Sequence, residues 1–366
     1  MSNRKAKKQK IFKPKARKPR GFRDMSGDEL SLQQSMIATI SSVYERYGFG
    51  ALDTSAFEYA DALGKFLPDD DRPNEGVFAL ADDDGQWMSL RYDLTAPLAR
   101  YVAENYDALP KPLRRFQWGP VWRNEKPGPG RYRQFLQIDA DTVGAGNMAA
   151  DAEICMMAAD CMAALGIETG DYLVRINNRK IMDGLLQAIG LNSDSDDYES
   201  QRLTILRAMD KFDRLGLDGV RDLLGAGRKD DSGDFTKGAG LDDQQIEQVA
   251  AMVSIQANNR PAVIDAMEAL VGSTEAGADG IGELREMDAL FTALGYQADR
   301  LAVDASIVRG LGYYTGPVYE IELTFDAEDE NGDITRFVQL AAEAVMMIWS
   351  SASKALKFPL LAFQLV

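Results

Sequence analysis

The sequence predicts an α+β fold: an antiparallel sheet flanked by helices, with a helical domain inserted in the second half of the chain. The first observation behind this is residues Val121 to Asp141, VWRNEKPGPGRYRQFLQIDAD. An aromatic and β-branched run, Phe116 to Trp122, ends in Arg123-Asn124-Glu125, crosses the loop KPGPG and resumes as Arg131 to Phe135. That is the pattern of two antiparallel strands and a long turn. The second observation is apolar helical spacing on either side of this hairpin. The third is residues 190–300, where charged helical segments such as LTILRAMDKFDRLG and GIGELREMDALFTALG alternate with Gly/Asp-rich turns.

A chain of 366 residues, 45% apolar and 27% charged, has room for two or three domains with proper cores. Its net charge of -16 is uneven, because residues 1–20 carry ten Lys/Arg and no Asp/Glu. An acidic body with a basic, disordered arm is expected. The arm has too few apolar residues for a secretory signal; RNA contact is one use for it, a transit-like segment or simple solubilisation are others. Cys155 and Cys161 are the two cysteines, six apart in an apolar helical stretch, and read as buried thiols of a reducing compartment. Histidine is absent, which excludes a Ser-His-Asp triad and an HExxH zinc site. Chemistry here must run on Arg, Asp/Glu, backbone and a borrowed metal.

In chain order, Ser26 and Glu29 offer a capping box for a helix from Leu30 to Tyr47, with Met36, Ile37, Ile40, Val43 and Tyr44 on its buried stripe. A strand follows in GFGALDTSAFEY, then an acidic loop over residues 68–86. WMSLRYDLT, Trp87 to Thr95, reads as a strand whose last residues, Asp93 and Thr95, suit the cap of a helix from Pro97 to Glu104. After the hairpin come an amphipathic helix (Asn147 to Leu165), a strand (Tyr172 to Ile176) and a helix opened by Asn177-Asn178-Arg179-Lys180. The helical block over 190–300 precedes a short strand, Leu301 to Asp304, and the string IVRGLGYYTGPVYE, whose glycine-flanked tyrosines suit a β-turn with packed rings.

Guanidiniums beside an aromatic ring on one hairpin suit phosphate oxygens and a purine face, although a basic hairpin is also an ordinary solvated edge. Arg-x-Glu, a loop, then Arg-x-x-x-Phe resembles motif 2 of class II aminoacyl-tRNA synthetases. RYRQF with Gln137 and Asp141, SLRYDLTAPLARY, and IVRGLGYYTGPVYE resemble segments of the histidyl-tRNA synthetases. The likeness runs from about residue 18 to 337, with departures at Ser55 (usually Pro in motif 1), Asp141 (commonly Glu) and Gly312 (often Asp).

The resemblance implies a cytoplasmic, homodimeric, ATP- and Mg-dependent enzyme acting on L-histidine and tRNA(His), without membrane attachment. By the same resemblance, Arg123 and Arg309 are the catalytic cations. Asp93, Leu94, Thr95, Arg123, Gln137, Asp141, Arg309, Tyr313 and Tyr314 surround histidine, with Asp141 accepting from the imidazole N–H. Arg123, Glu125, Arg131, Arg133 and Phe135 hold ATP; Phe135 stacks on adenine, and Glu125 meets the adenine amino edge or a metal-bound water. The implied domains are an arm (1–20), a catalytic core in two parts (21–189 and 301–337) around the inserted helices (190–300), and a tail. A helical bundle of purely structural role is the other reading of 190–300. The competing family reading is the non-catalytic, synthetase-like regulatory subunit of ATP phosphoribosyltransferase.

From residue 338 the likeness stops. VQLAAEAVMMIWSSASKALKFPLLAFQLV has helical spacing, is too polar and Pro-broken to span a bilayer, and lacks motif 3. One extra base before codon 338 would re-read the single codons of Met346 and Met347, with their neighbours, as Asp-Asp followed by Leu or Met. Permitted codons elsewhere then give GSVGGGGRYDDLVKRFKGIEVPATGFSIG, similar to the family's continuation. The tail is therefore expected to be a frameshift product that leaves an incomplete ATP site, no anticodon-binding domain, an unpaired sheet edge, and weak or no aminoacylation.

Overall fold

The computed structural model describes residues 15–62, 76–128, 131–191, 197–229, 233–308 and 314–325, and by backbone path 326–328, 334–336, 341–342, 346–347 and 362–365. The first fourteen residues of the basic arm, residues 68–75 of the 68–86 loop, and Arg309 and Tyr313 lie outside them.

The first helix, α1 (Gly27–Arg46), buries Met36, Ile37, Ile40, Val43 and Tyr44, the stripe its spacing predicts. The capping box does not form. Ser26 makes no side-chain cap, and Glu29 is drawn instead into an ion pair with Arg23 at 2.7 Å. Strands β1 (Gly50–Ala51), β2 (Phe57–Tyr59), β3 (Ala79–Ala81) and β4 (Trp87–Leu90) follow, and β2, β4 and β3 form a small antiparallel sheet. The strand read through Thr95 thus stops at Leu90, because Asp93 caps the next helix, α2 (Thr95–Asn105), accepting from the Ala96 N–H at 2.9 Å.

The hairpin is longer than its apolar run indicates: β5 (Leu113–Trp122) pairs along its whole length with β6 (Gln134–Val143). Asn147 caps α3 (Met148–Ala164), which was expected to be amphipathic but is buried nearly all round, Cys155 and Cys161 included. The reason is its position, with α1 on one flank, a later helix on another and the sheet beneath. Two elements come next, β7 (Tyr172–Asn178) and α4 (Arg179–Ala188).

The helical block comprises α5 (Tyr198–Met209), α6 (Phe212–Leu224), α7 (Asp243–Val253), α8 (Arg260–Val271) and α9 (Glu275–Ala293), with the β8 (Gly227–Lys229) and β9 (Phe235–Lys237) ribbon between α6 and α7. Helix α9 packs on α3 and α4, and one continuous apolar cluster runs from Met36 to Leu323 through these helices. Two glycines allow that contact: a Cβ on Gly184 of α4 would lie 2.6 Å from the Gly277 Cα of α9. Buried Arg260 ties α8 to the second sheet, donating to the Leu301 carbonyl at 2.9 Å and pairing with Asp288.

That sheet holds β10 (Leu301–Val303), β7 and β11 (Pro317–Leu323), with Arg175 of β7 bridging Asp304 at 2.6 Å and Glu322 at 3.2 Å. A ribbon of β12 (Asp326–Glu328) and β13 (Ile334–Arg336) follows. The described parts of the tail are strands rather than the helix its spacing suggests: β14 (Ala341–Ala342) pairs with β11, β15 (Met346–Met347) with β16 (Ala362–Leu365), and β16 runs parallel to β6. The edge of β6 expected to be unpaired is therefore covered. Among the described residues no helix is long and apolar enough to cross a membrane.

Candidate active site

Strand pleating decides what the hairpin presents. Successive side chains alternate between faces, so odd-numbered residues of β5 and β6 share one face and even-numbered residues the other. Phe116, on the even face, packs edge-on against Tyr44 of α1, with ring centroids 5.7 Å apart. The odd face reads Arg115, Gln117, Gly119, Val121, Arg123 on one strand and Arg133, Phe135, Gln137, Asp139, Asp141 on the other, with Arg115 opposite Asp141 and Gln117 opposite Asp139. Arg115, Gln117, Gln137, Asp139 and Asp141 are all buried.

At the open end of this face, the Arg123 guanidinium lies 5.1 Å from the centre of the Phe135 ring, and its Nε donates to the Tyr92 carbonyl at 3.1 Å. Glu125 and Arg131 are ion-paired across the loop. Arg133 Nε donates to the Glu125 carbonyl at 2.8 Å, while its backbone N–H donates to Gly21 at 2.7 Å, tying the loop to the N-terminal segment. The predicted nucleotide residues thus form one cluster, with guanidiniums around a ring.

The closed end is acidic. Arg115 and Asp141, each side chain 2% exposed, pair at 2.7 Å, and Arg115 also donates to the carbonyl of buried Leu94 at 3.1 Å. Burial nonetheless outweighs the pull of Arg115 and holds the Asp141 carboxyl up at about 6. Asp93 is shifted upward by burial too, although the Ala96 N–H and the Arg123 charge pull the other way. Asp139 is raised as well, by burial first and then by the charge of Asp141. Both oxygens of Asp139 and of Asp141, and the Nε and Nη1 of Arg115, have no hydrogen-bond partner among the described residues, the Arg115–Asp141 contact being an ion pair. Idle polar atoms of this kind in a buried face mark where a ligand or water completes the network.

Sequence reasoning missed Arg91, Arg115, Gln117 and Asp139. Arg91 is 4% exposed and donates to the carbonyls of Pro120 (3.0 Å) and Thr54 (2.7 Å), clamping β5 to the segment after β1. It needs Gly119, since a Cβ there would stand 2.3 Å from Arg91 Nη2. Gln117 is occupied by Thr54 and Asp53, each at 3.0 Å. The missed signal was the alternation itself: in R-x-Q-x-G-x-V-x-R against R-x-F-x-Q-x-D-x-D the polar side chains fall on one face of the two strands, interrupted at Gly119, Val121 and Phe135.

Tyr314 lines a cavity of about 530 Å³ with Met148, Cys155, the Lys180–Glu283 pair (2.7 Å) and Thr142, the residue that follows Asp141 on β6. Among the described residues no group of three acids or cysteines is arranged to hold a metal.

A sequence profile of the histidyl-tRNA synthetase family matches residues 21–324. The chain is 59% identical over 320 residues to a histidine--tRNA ligase of Bartonella bacilliformis, covering 87% of this chain and 64% of that protein. It is 54% identical over 348 residues to the corresponding protein of a Jannaschia species, covering 92% and 68%. Among solved structures, histidyl-tRNA synthetase from a Nostoc species superposes with a TM-score of 0.70 at 27% identity, covering 85% of this chain and 66% of that one. A protein from Bacillus halodurans described as an ATP phosphoribosyltransferase regulatory subunit/histidyl-tRNA synthetase shares the fold at 20% identity, with a TM-score of 0.69. The chain spans less than two thirds of the length of the Bartonella relative.

Proposed function

The chain belongs to the histidyl-tRNA synthetase family, and on that premise we propose that its hairpin face binds ATP at the Phe135 end and L-histidine at the Asp141 end. The reaction is activation of histidine to histidyl-adenylate and its transfer to tRNA(His). The observation that carries this is the gradient along one sheet face, from guanidiniums around a ring to buried carboxyls beside Arg115.

In this reading the histidine carboxylate attacks the α-phosphorus and pyrophosphate leaves. Arg123, fixed by the Tyr92 carbonyl, stands where negative charge develops, and Arg309 supplies a second cation. Phe135, covered by Arg123, offers its ring to adenine. Glu125, Arg131 and Arg133 bracket the phosphates. Asp93, Leu94, Thr95, Gln137, Asp141, Tyr313 and Tyr314 enclose the amino acid. Mg²⁺ fits this site as a cation carried on the nucleotide phosphates, because Glu125 is the carboxylate at hand and no three-acid cage is present among the described residues. It would neutralise phosphate charge.

Residues 190–300 correspond to the family's inserted helices and would meet the tRNA acceptor end. The tail from 338 is a frameshift product that lowers charging. Dimerisation has apolar surface available to it: Phe57, Tyr59, Trp87 and Trp118 are each 44–55% exposed. The compartment is the cytoplasm. Histidine-dependent exchange of pyrophosphate into ATP tests the reading. Exchange lost in Arg123→Ala is expected; histidine binding without exchange, in this chain and in one with the family-like tail restored, would favour a regulatory, non-catalytic protein.

A further inference from the structure

We propose that Gly21 and Arg23 are positioning residues for the nucleotide, a latch that holds the far foot of the 125–133 loop where its arginines can bracket phosphates. The inference rests on the ATP-binding reading above and goes beyond it by giving the segment before α1 a role in that site.

The hairpin does not place this loop by itself. Its ladder of paired residues ends at Trp122 and Gln134, and beyond it the Arg123 N–H donates to the Arg133 carbonyl at 3.0 Å before the chain turns into KPGPG. That string holds two prolines, which bring no N–H, and two glycines, which bring no side chain to pack. Both feet of the loop are instead fixed from outside the hairpin. The Asn124 N–H donates to the Gly76 carbonyl at 3.0 Å, and the Arg133 N–H to the Gly21 carbonyl at 2.7 Å.

The second foot carries Arg131 and Arg133, and three consecutive residues meet it or its support. The Phe22 N–H donates to the Pro19 carbonyl at 3.3 Å, closing a turn whose third residue, Gly21, has a φ of +83°. This turn lies against the loop so closely that a Cβ on Gly21 would stand 2.9 Å from Arg133 Cγ and 3.1 Å from Pro127 Cβ. Phe22 packs on Phe78, ring centroids 5.9 Å apart, two residues past the Gly76 that holds the first foot. The Arg23 guanidinium lies 5.0 Å from the centre of the Tyr132 ring, and its Nη1 pairs with Glu29 of α1 at 2.7 Å. Its Nη2 is buried without a hydrogen-bond partner among the described residues, so Arg23 meets the loop through its planar face. The capping box that α1 forgoes is exchanged for this tie between a core helix and the loop.

A loop already in place does not have to be ordered when the nucleotide arrives, and that ordering cost would otherwise be subtracted from affinity. Arg123 is held separately by the Tyr92 carbonyl, and the acidic end of the face lies further along β6. Loosening the latch therefore weakens ATP and spares histidine.

The test is calorimetric titration of ATP with magnesium, and separately of L-histidine, into the full chain and into Gly21→Ala, Arg23→Ala and Arg23→Lys. Cleavage after Glu125 by a glutamate-specific protease reads the loop directly, and no glutamate precedes residue 29, so the latch itself stays whole. An alanine at a φ of this sign is disfavoured by roughly 5- to 30-fold, and ATP should weaken by about that factor in Gly21→Ala. Arg23→Ala should lose about two- to fivefold, the worth of a cation over a partly exposed ring. Arg23→Lys keeps a charge for Glu29 but not the planar face, and should recover part of that loss. Histidine affinity should be unchanged in all three, and cleavage after Glu125 should quicken as ATP affinity falls. Equal losses for ATP and histidine, or cleavage no faster than in the parent, would each overturn the assignment. If the parent chain binds no ATP, the nucleotide reading fails and takes this inference with it; if the parent binds and Gly21→Ala and Arg23→Ala bind equally, only this inference fails.

Discussion

Replacing Arg115 with leucine removes one partner of a buried pair and leaves the other in place. At an effective dielectric of 20, unit charges 2.7 Å apart attract by about 6 kcal/mol. Desolvating two ions costs several kcal/mol each, so the pair as a whole is close to neutral for stability. Removing Arg115 alone withdraws the attraction while Asp141 stays buried, now beside Asp139 with no cation between them and the Leu94 carbonyl without its donor. We expect a loss of about 3–5 kcal/mol at pH 8. The loss should shrink at pH 5, where an unpaired Asp141 takes up a proton instead of staying charged. Arg115→Leu combined with Asp141→Leu, which removes both charges, should recover most of it. Urea unfolding followed by tryptophan fluorescence suits the measurement, since Trp118 and Trp122 sit on β5 itself. A cost below about 1 kcal/mol for Arg115→Leu at pH 8, or a double variant no better than the single, would refute a buried and mutually dependent pair.

Further outcomes follow from the same geometry. Gly119→Ala should displace Arg91 from the Pro120 and Thr54 carbonyls, costing about 1–3 kcal/mol for the donors left unmatched and weakening histidine binding; a variant as stable as the parent would show that Arg91 relaxes freely. Because the folded-state pKa of Asp141 is raised to about 6 from 3.8, the folded protein holds more protons between those values, and this residue's contribution to stability is lost as pH rises from about 4 through 6. The stability of the parent relative to Asp141→Asn should therefore fall over that window in urea titrations; a flat or rising difference contradicts it. Gly184→Leu should separate α4 from α9 and lower the melting temperature by several degrees, readable by circular dichroism, unless the helices reseat without loss. Sequencing the gene across codon 338 should reveal an extra or missing base relative to the relatives; an intact frame ends the frameshift reading.

Period and punctuation made much of this fold legible. The apolar stripe of α1, Asn147 at the start of α3, and the hairpin all follow from local pattern. What failed involved competition at a distance. Glu29 fits a capping box until Arg23 claims it, and nothing local forecasts that. Helix α3 is so rich in Ala, Met and Cys that its polar face is hard to find, and three neighbours bury it nearly all round. Within the site, Arg123, Glu125, Arg131 and Phe135 were legible because their loop has a recognisable grammar. Arg115, Gln117 and Asp139 were hidden in what read as an apolar strand, although strict alternation exposes them. Arg91 was invisible because its role exists only where Gly119 lets another strand approach.

The most direct measurement is calorimetric titration of L-histidine into the chain and into Asp93→Asn, whose carboxyl lies half-buried at the start of α2 beside Arg123. One saturable site per chain, lost or weakened roughly tenfold or more in the variant, is the expected result. No saturable heat with the parent, or an unaltered isotherm with the variant, would contradict the claim that this sheet face is an amino-acid pocket.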